Sequence, residues 1–166
     1  KTKAIIPVHL YGQSADMDSL VSLCKGTNIK IIEDAAQGYG VFYKGRHTGT
    51  IGDVGVISFF ADKTITMGEG ALILTNDEKI YEKLRLLRNQ GRPNSGTFIH
   101  PSLGMNFRIT DLQAAVGCAQ LERLPDIIAS RLLNHKLYQK KLGECENLTL
   151  HQPTAGSDYI PFRFAF

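Results

Sequence analysis

Three residue types in one order carry the chemistry this sequence offers. Glu33-Asp34-Ala35-Ala36-Gln37 places an acid at the end of an apolar run. Ser58 closes a second apolar run, and Lys63 follows it within Ser58-Phe59-Phe60-Ala61-Asp62-Lys63, ahead of Gly68-Glu69-Gly70. Chemistry with pyridoxal phosphate needs an acid for the pyridine nitrogen, a hydroxyl for the phosphate and an amine for the aldehyde. Lys63 is the candidate amine, which must be partly deprotonated to attack an aldehyde. Asp34 would pair with the protonated ring nitrogen, whose charge makes the ring an electron sink. Gln37, in the same turn, would bond the ring's phenolic oxygen. Ser58 would donate to phosphate oxygens without adding charge.

Two further positions suit an anionic substrate. Arg108 lies with Asn106 at the end of a glycine- and proline-bearing stretch, and an arginine fork matches phosphate. His9 ends a strand on the same expected rim. Singly, each residue also has an ordinary structural reading. Lys63 reads as a solvated loop lysine, as most lysines do, Asp34 as a cap, Ser58 as a strand serine bonded to backbone, Gln37 as a loop amide. Arg108 reads as a loop tether and His9 as a satisfied structural histidine. The pair Gly68 and Gly70 is a weak signal.

The elements that must position these groups follow from periodicity. Ala4 to Leu10 reads as a buried strand, Asp16 to Cys24 as a helix with Met17, Leu20, Val21 and Cys24 at helical spacing, and Ile29 to Ile32 as a second strand. Strand–helix–strand units favour parallel pairing. Val54 to Phe60 and Ala71 to Leu74 read as further strands, and Asp77 to Arg88 as an amphipathic helix. Residues 89 to 108 form a long loop. Thr110-Asp111-Leu112-Gln113 is a capping box opening a helix, and Pro125 sits at the first turn of another that runs to about Leu142. The alternating segment Tyr159 to Phe166 reads as a final strand. The order implies an α/β layered domain with a mostly parallel sheet. Ligands of such sheets sit beyond the carboxyl ends of the strands, where Asp34, Ser58 and Lys63 all fall.

Composition excludes little. The chain has 166 residues, 43% of them hydrophobic, and a net charge of +3, too small to argue for nucleic acid or an anionic membrane. Cys24, Cys118 and Cys145 show no CxxC or Cys/His metal spacing. No run reaches the ~18 apolar residues of a membrane span, and no signal-peptide pattern opens the chain, so a cytoplasmic protein is expected. A strand begins at once after Lys1 and another is cut at Phe166, so the chain reads as a piece of a larger protein.

Together the 33–37 run, the 58–70 segment, Gly104-Met105-Asn106-Phe107-Arg108 and Leu112-Gln113-Ala114-Ala115 resemble the DegT/DnrJ/EryC1/StrS sugar aminotransferases. The phrase Phe59 to Thr66 is nearest to the perosamine-synthase-like members. The resemblance implies an incomplete fold-type I large domain over 1–124, with a connecting helix and the start of the small domain over 125–166. It implies Lys63 as the residue bonded to pyridoxal 5'-phosphate and as proton shuttle, with Asp34, Gln37 and Ser58 holding the cofactor. It also implies that Asn106 reaches the partner's cofactor phosphate in a homodimer. The implied reaction moves an amino group from L-glutamate to a keto sugar on a nucleoside diphosphate, in O-antigen or antibiotic sugar synthesis. Where the family often has a second glycine, Ala71 follows Gly70. A deoxysugar dehydratase of the same kin is the first rival, disfavoured because such relatives carry histidine in place of lysine. A non-catalytic regulatory relative is the second. A generic nucleotide-binding module is the third, and it lacks a GxGxxG.

Overall fold

The computed structural model describes residues 1–94, 96 and 98–166. Positions 95 and 97, within the expected 89–108 loop, lie outside the described residues. The main sheet has four strands: β1 (Ala4–Ile5), β2 (Lys30–Asp34), β5 (Val54–Ser58) and β6 (Ala71–Leu74), in the order β1-β2-β5-β6. β1 runs parallel to β2 and β2 parallel to β5, whereas β6 returns antiparallel beside β5. This is the mostly parallel α/β sheet that the strand–helix–strand order implies. Helix α1 (Met17–Cys24) makes the crossover from β1 to β2, with the Asp16 side chain accepting from Ser19 N–H at its start. Then come α2 (Glu78–Arg88), α3 (Asp111–Glu122) and α4 (Leu124–Leu142).

Capping chemistry sets several of these boundaries. The expected box at α3 is present in full: Thr110 accepts from Gln113 N–H while the Gln113 side chain returns to Thr110 N–H. Asp77 accepts from Lys79 and Ile80 N–H at the head of α2. Pro125 occupies the first turn of α4, where a missing N–H costs nothing.

Three expectations differ from what is observed. The first strand is shortened to Ala4–Ile5, because Pro7 has no N–H to give to the ladder. Pairing resumes beyond it, with Val8 bridged to Asp34. Between β2 and β5 lies an unexpected hairpin, β3 (Phe42–Tyr43) and β4 (Arg46–His47), turned by Lys44 (φ 48) and Gly45 (φ 79). Two positive φ values mark the turn type whose twist matches the strands, and lysine is an uncommon residue at its first position. Tyr159 to Phe166 forms no strand. Pro161 interrupts it, and Ile160 and Phe162 donate instead to the carbonyls of Gly12 and Tyr11, at 2.9 and 3.3 Å.

Two apolar clusters anchor the sheet. Met17, Ile31 and Tyr43 pack under α1, and Ala35, Ile57, Phe59, Ile65 and Met67 pack under the loop after β5. Between them, Gly55 of β5 meets Gly49 backbone to backbone. A Cβ on Gly55 would lie 1.9 Å from the Gly49 carbonyl oxygen. That approach tucks the 48–52 loop under β2 and β5. Gly55→Ala is therefore expected to destabilise the protein by about 3 kcal/mol, the upper end of the cost of overpacking, as read from urea unfolding of the protein carrying this chain.

Candidate active site

The parallel register β2–β5 pairs Asp34 with Val56, so Asp34 and Ser58 stand at the same, carboxyl, end of adjacent strands. Lys63 follows in a loop pinned at its base. Phe59 N–H donates to Gly70 O (2.8 Å), Met67 N–H to Phe59 O (2.9 Å) and Lys63 N–H to Phe60 O (3.0 Å). Buried Phe59, Ile65 and Met67 hold that loop to the core. This closure keeps the loop that carries Lys63 beside the end of β5.

Each polar group at this rim has one bond made and one valence left. Asp34 Oδ1 accepts from Ala36 N–H at 3.0 Å, and its Oδ2 has no partner among the described residues. Gln37 Oε1 accepts from Tyr11 N–H at 2.9 Å. That bond settles the amide's orientation and leaves Nε2 as a donor. Ser58 Oγ accepts from Phe60 N–H at 3.2 Å, so its own hydrogen remains to be given. A pyridinium N–H needs an acceptor, a phenolate oxygen needs a donor, and a phosphate needs a donor. The three free valences are of those kinds.

Lys63 is mostly covered, its side chain 17% exposed. Its Nζ lies 3.5 Å from Asp62 Oδ1 and 5.0 Å from the centre of the Phe162 ring. Asp62 Oδ2 also accepts from Arg163 at 3.1 Å, and Arg131 donates to the carbonyls of Pro161 and Phe162 at 3.1 and 3.0 Å. The 160–163 segment is thus strapped over the lysine. Phe162 carried no signal in the sequence, being 99 positions from Lys63 and within an alternating run.

Both substrate candidates are bonded to protein groups. His9 is sealed, at 0% exposure, with Nε2 2.9 Å from Glu33 Oε2 and Nδ1 accepting from Ala15 N–H at 3.2 Å. No ring nitrogen is left to meet a ligand, so His9 is an interior residue rather than a substrate contact. Arg108 donates through Nη1 to Asn89 Oδ1 at 2.8 Å, tethering the stretch after the loop to the end of α2. Asn106 is exposed and bridges Asn89. No contact joins either residue to Asp34, Ser58 or Lys63 among the described residues.

Glu33 opens the 33–37 motif but carries none of the roles expected from the sequence. Its carboxylate is wholly buried and accepts from His9, from Gly49 N–H (2.8 Å) and from Ile51 and Gly52 N–H (both 2.6 Å). Burial pushes its pKa up, but the bonds from His9 and from the amides of Gly52, Gly49 and Ile51 outweigh it and hold it below the ordinary value.

Comparison with known proteins decides the family. Residues 1–165 match the model of the DegT/DnrJ/EryC1/StrS aminotransferase family. The chain belongs to that family. GDP-perosamine synthase of Caulobacter vibrioides is 45% identical over 147 residues, covering 89% of this chain and 40% of that protein. The structure of S. venezuelae DesV superposes with a TM-score of 0.90 at 34% identity, over 98% of this chain and 44% of that one. The E. coli GDP-4-keto-6-deoxy-D-mannose-3-dehydratase, solved with bound hydrated pyridoxal phosphate, gives 0.87 at 28% identity, over 98% and 46%. The chain therefore spans less than half the length of the relatives it matches. Pyridoxal phosphate is the cofactor of the DegT family, and the free valences of Asp34, Gln37 and Ser58 fit it.

The buried groups behind the rim make the fold sensitive to acid. His47 is held below its ordinary value of 6.5 by burial, its Nε2 accepting from Gly40 N–H at 2.9 Å. A lowered folded pKa means that unfolded chains take up protons first. The stability His47 contributes is present above pH 6.5 and lost as pH falls. Glu33 follows the same sign from its ordinary 4.5 downward. The melting temperature is expected to decline below about pH 6.5 and steeply below about pH 4.5, and His47→Gln should remove the upper part of that decline in a thermal-melt series.

Proposed function

We propose that this chain forms the cofactor-binding part of a pyridoxal-phosphate-dependent aminotransferase. It moves an amino group from L-glutamate to a keto group, at C4, of a nucleotide-linked deoxy sugar. The observation that carries the reading is the set of unspent valences at one sheet end, Asp34 Oδ2, Gln37 Nε2 and the Ser58 hydroxyl, one loop away from a covered lysine. The perosamine-synthase-like wording of 59–66 and the likeness to a GDP-perosamine synthase support the sugar and the C4 position.

When bound, the cofactor would supply an electron sink for the electron pair left behind when the donor's α carbon loses its proton. The chain's residues do the rest. Asp34 accepts the pyridinium N–H and keeps the ring charged. Gln37 donates to the phenolic oxygen, and Ser58 to the phosphate. Lys63 Nζ would hold the cofactor through its aldehyde carbon, and as a free amine would take the proton from the donor's α carbon as general base and deliver it to that aldehyde carbon as general acid. Phe162 and the Arg163–Asp62 pair cover that amine and limit the access of water. Release of the keto acid before the sugar binds gives ping-pong kinetics.

Residues 1–124 belong to the large domain in this reading, and 125–166 to the connecting helix and the start of the small domain. Asn106 serves the phosphate of the partner subunit's cofactor in a homodimer. Supporting this, Asn106 makes no contact with Asp34, Ser58 or Lys63 among the described residues, and Phe98, Leu103, Phe107 and Leu112, near it in sequence, are exposed by 67% or more. No helix among the described residues is long and apolar enough to cross a membrane, which is compatible with sugar synthesis in the cytoplasm. Lys63 itself disfavours the dehydratase alternative.

The protein carrying this chain is expected to show a visible absorption band with pyridoxal phosphate. Lys63→Ala should abolish it, borohydride should fix the label on Lys63, and glutamate should bleach it. Amination of a 4-keto but not a 3-keto nucleotide sugar would support the C4 assignment; the reverse would overturn it.

A further inference from the structure

Behind the cofactor rim lies a closed set of bonds. The segment 7–11 is attached to the segment 33–37 four times. Asp34 N–H donates to Pro7 O at 2.9 Å, and His9 N–H donates to Asp34 O at 3.0 Å. The His9 ring bonds Glu33 at 2.9 Å, and Tyr11 N–H bonds Gln37 Oε1 at 2.9 Å. Residue 9 thus grips position 33 by its side chain and position 34 by its main chain. Because Nδ1 accepts from Ala15 N–H, the ring proton sits on Nε2 and is given to Glu33. The other three donors to Glu33, the amides of residues 49, 51 and 52, belong to the loop that enters β5. Glu33 therefore ties three chain segments together one residue before Asp34.

Resting on the cofactor assignment above, we propose that Glu33 and His9 are positioning residues, which fix the strand end so that Asp34 Oδ2 meets the cofactor's ring nitrogen and Gln37 Nε2 its phenolic oxygen. Successive side chains of a strand point to opposite faces, so Glu33 anchors the inner face while Asp34 works on the other side of the same two-residue lever. Any shift that lets Glu33 leave its donors tilts Asp34. The four donors also make the site intolerant of a neutral isostere. If Glu33 became glutamine, its NH₂ would face either His9 and Gly49 or Ile51 and Gly52, and each choice sets N–H against N–H. Partners of this kind behind metal ligands change affinity by about 10–100-fold, and a similar loss of cofactor affinity is expected here.

The test uses the full-length protein carrying Glu33→Gln, His9→Gln or His9→Asn. Glutamine at position 9 can carry an N–H out to Glu33, whereas asparagine stops at the level of Nδ1 and can serve only Ala15. Cofactor affinity and visible spectrum are measured well below each variant's melting temperature, and the melting temperature of each apoprotein is recorded beside them. The proposal expects Glu33→Gln and His9→Asn to weaken cofactor binding by about tenfold or more and to shift the band, with His9→Gln recovering most of both. It is overturned if Glu33→Gln and His9→Asn bind with wild-type affinity and spectrum. It is also overturned if both His9 variants lose affinity only in step with their melting temperatures. Should Glu33→Gln not fold, the contrast between the two His9 variants decides alone. A wild-type protein without a visible band would instead sink the cofactor assignment, a separate outcome.

Discussion

A carboxylate cut off from water must find every bond it would have made to water within the protein. Glu33 meets that demand with a histidine and three backbone amides, drawn from two loops distant in sequence from each other. The loops cannot wander without stranding a buried charge, and stripping one partner from such a charge costs about 3–5 kcal/mol. The 48–52 loop reaches it only because Gly49 and Gly55 let two backbones touch. The hairpin β3–β4 lies on the way to that loop, and His47 locks it with a ring bonded on both sides. The strand end that carries Asp34 inherits this rigidity.

On the other side of Asp34 the design is open. Asp34, Gln37 and Ser58 each use one bond to fix their own orientation and leave another unspent. Such half-satisfied groups are able to bond a ligand that completes them. The saturated Glu33 and the half-satisfied Asp34 stand in contrast within two residues. Lys63 completes the arrangement from a loop held by apolar contacts, beneath a ring that arrives from the far end of the chain.

Most elements were legible because local chemistry decides them. The box at Thr110 and the proline of α4 are short-range signals, and the structure follows them. The hairpin was missed because Lys44-Gly45 lacks the asparagine or aspartate that usually announces such a turn. Tyr159 to Phe166 alternates like a strand, yet alternation says only which side chains face inward; with Pro161 in the run, its backbone bonds go to the Tyr11–Gly12 turn instead.

By itself the sequence determined the residue types, their order and the strand ends on which Asp34 and Ser58 stand, because periodicity and capping act over a few positions. Tertiary structure alone decided which acid is buried and which presents a free oxygen, since adjacent acids in a strand face opposite ways and only the neighbours on each face tell them apart. It moved His9 from the expected rim to the interior, and it brought Phe162 over Lys63. Both depend on segments meeting across long stretches of chain, where no local pattern records which partner a side chain will find.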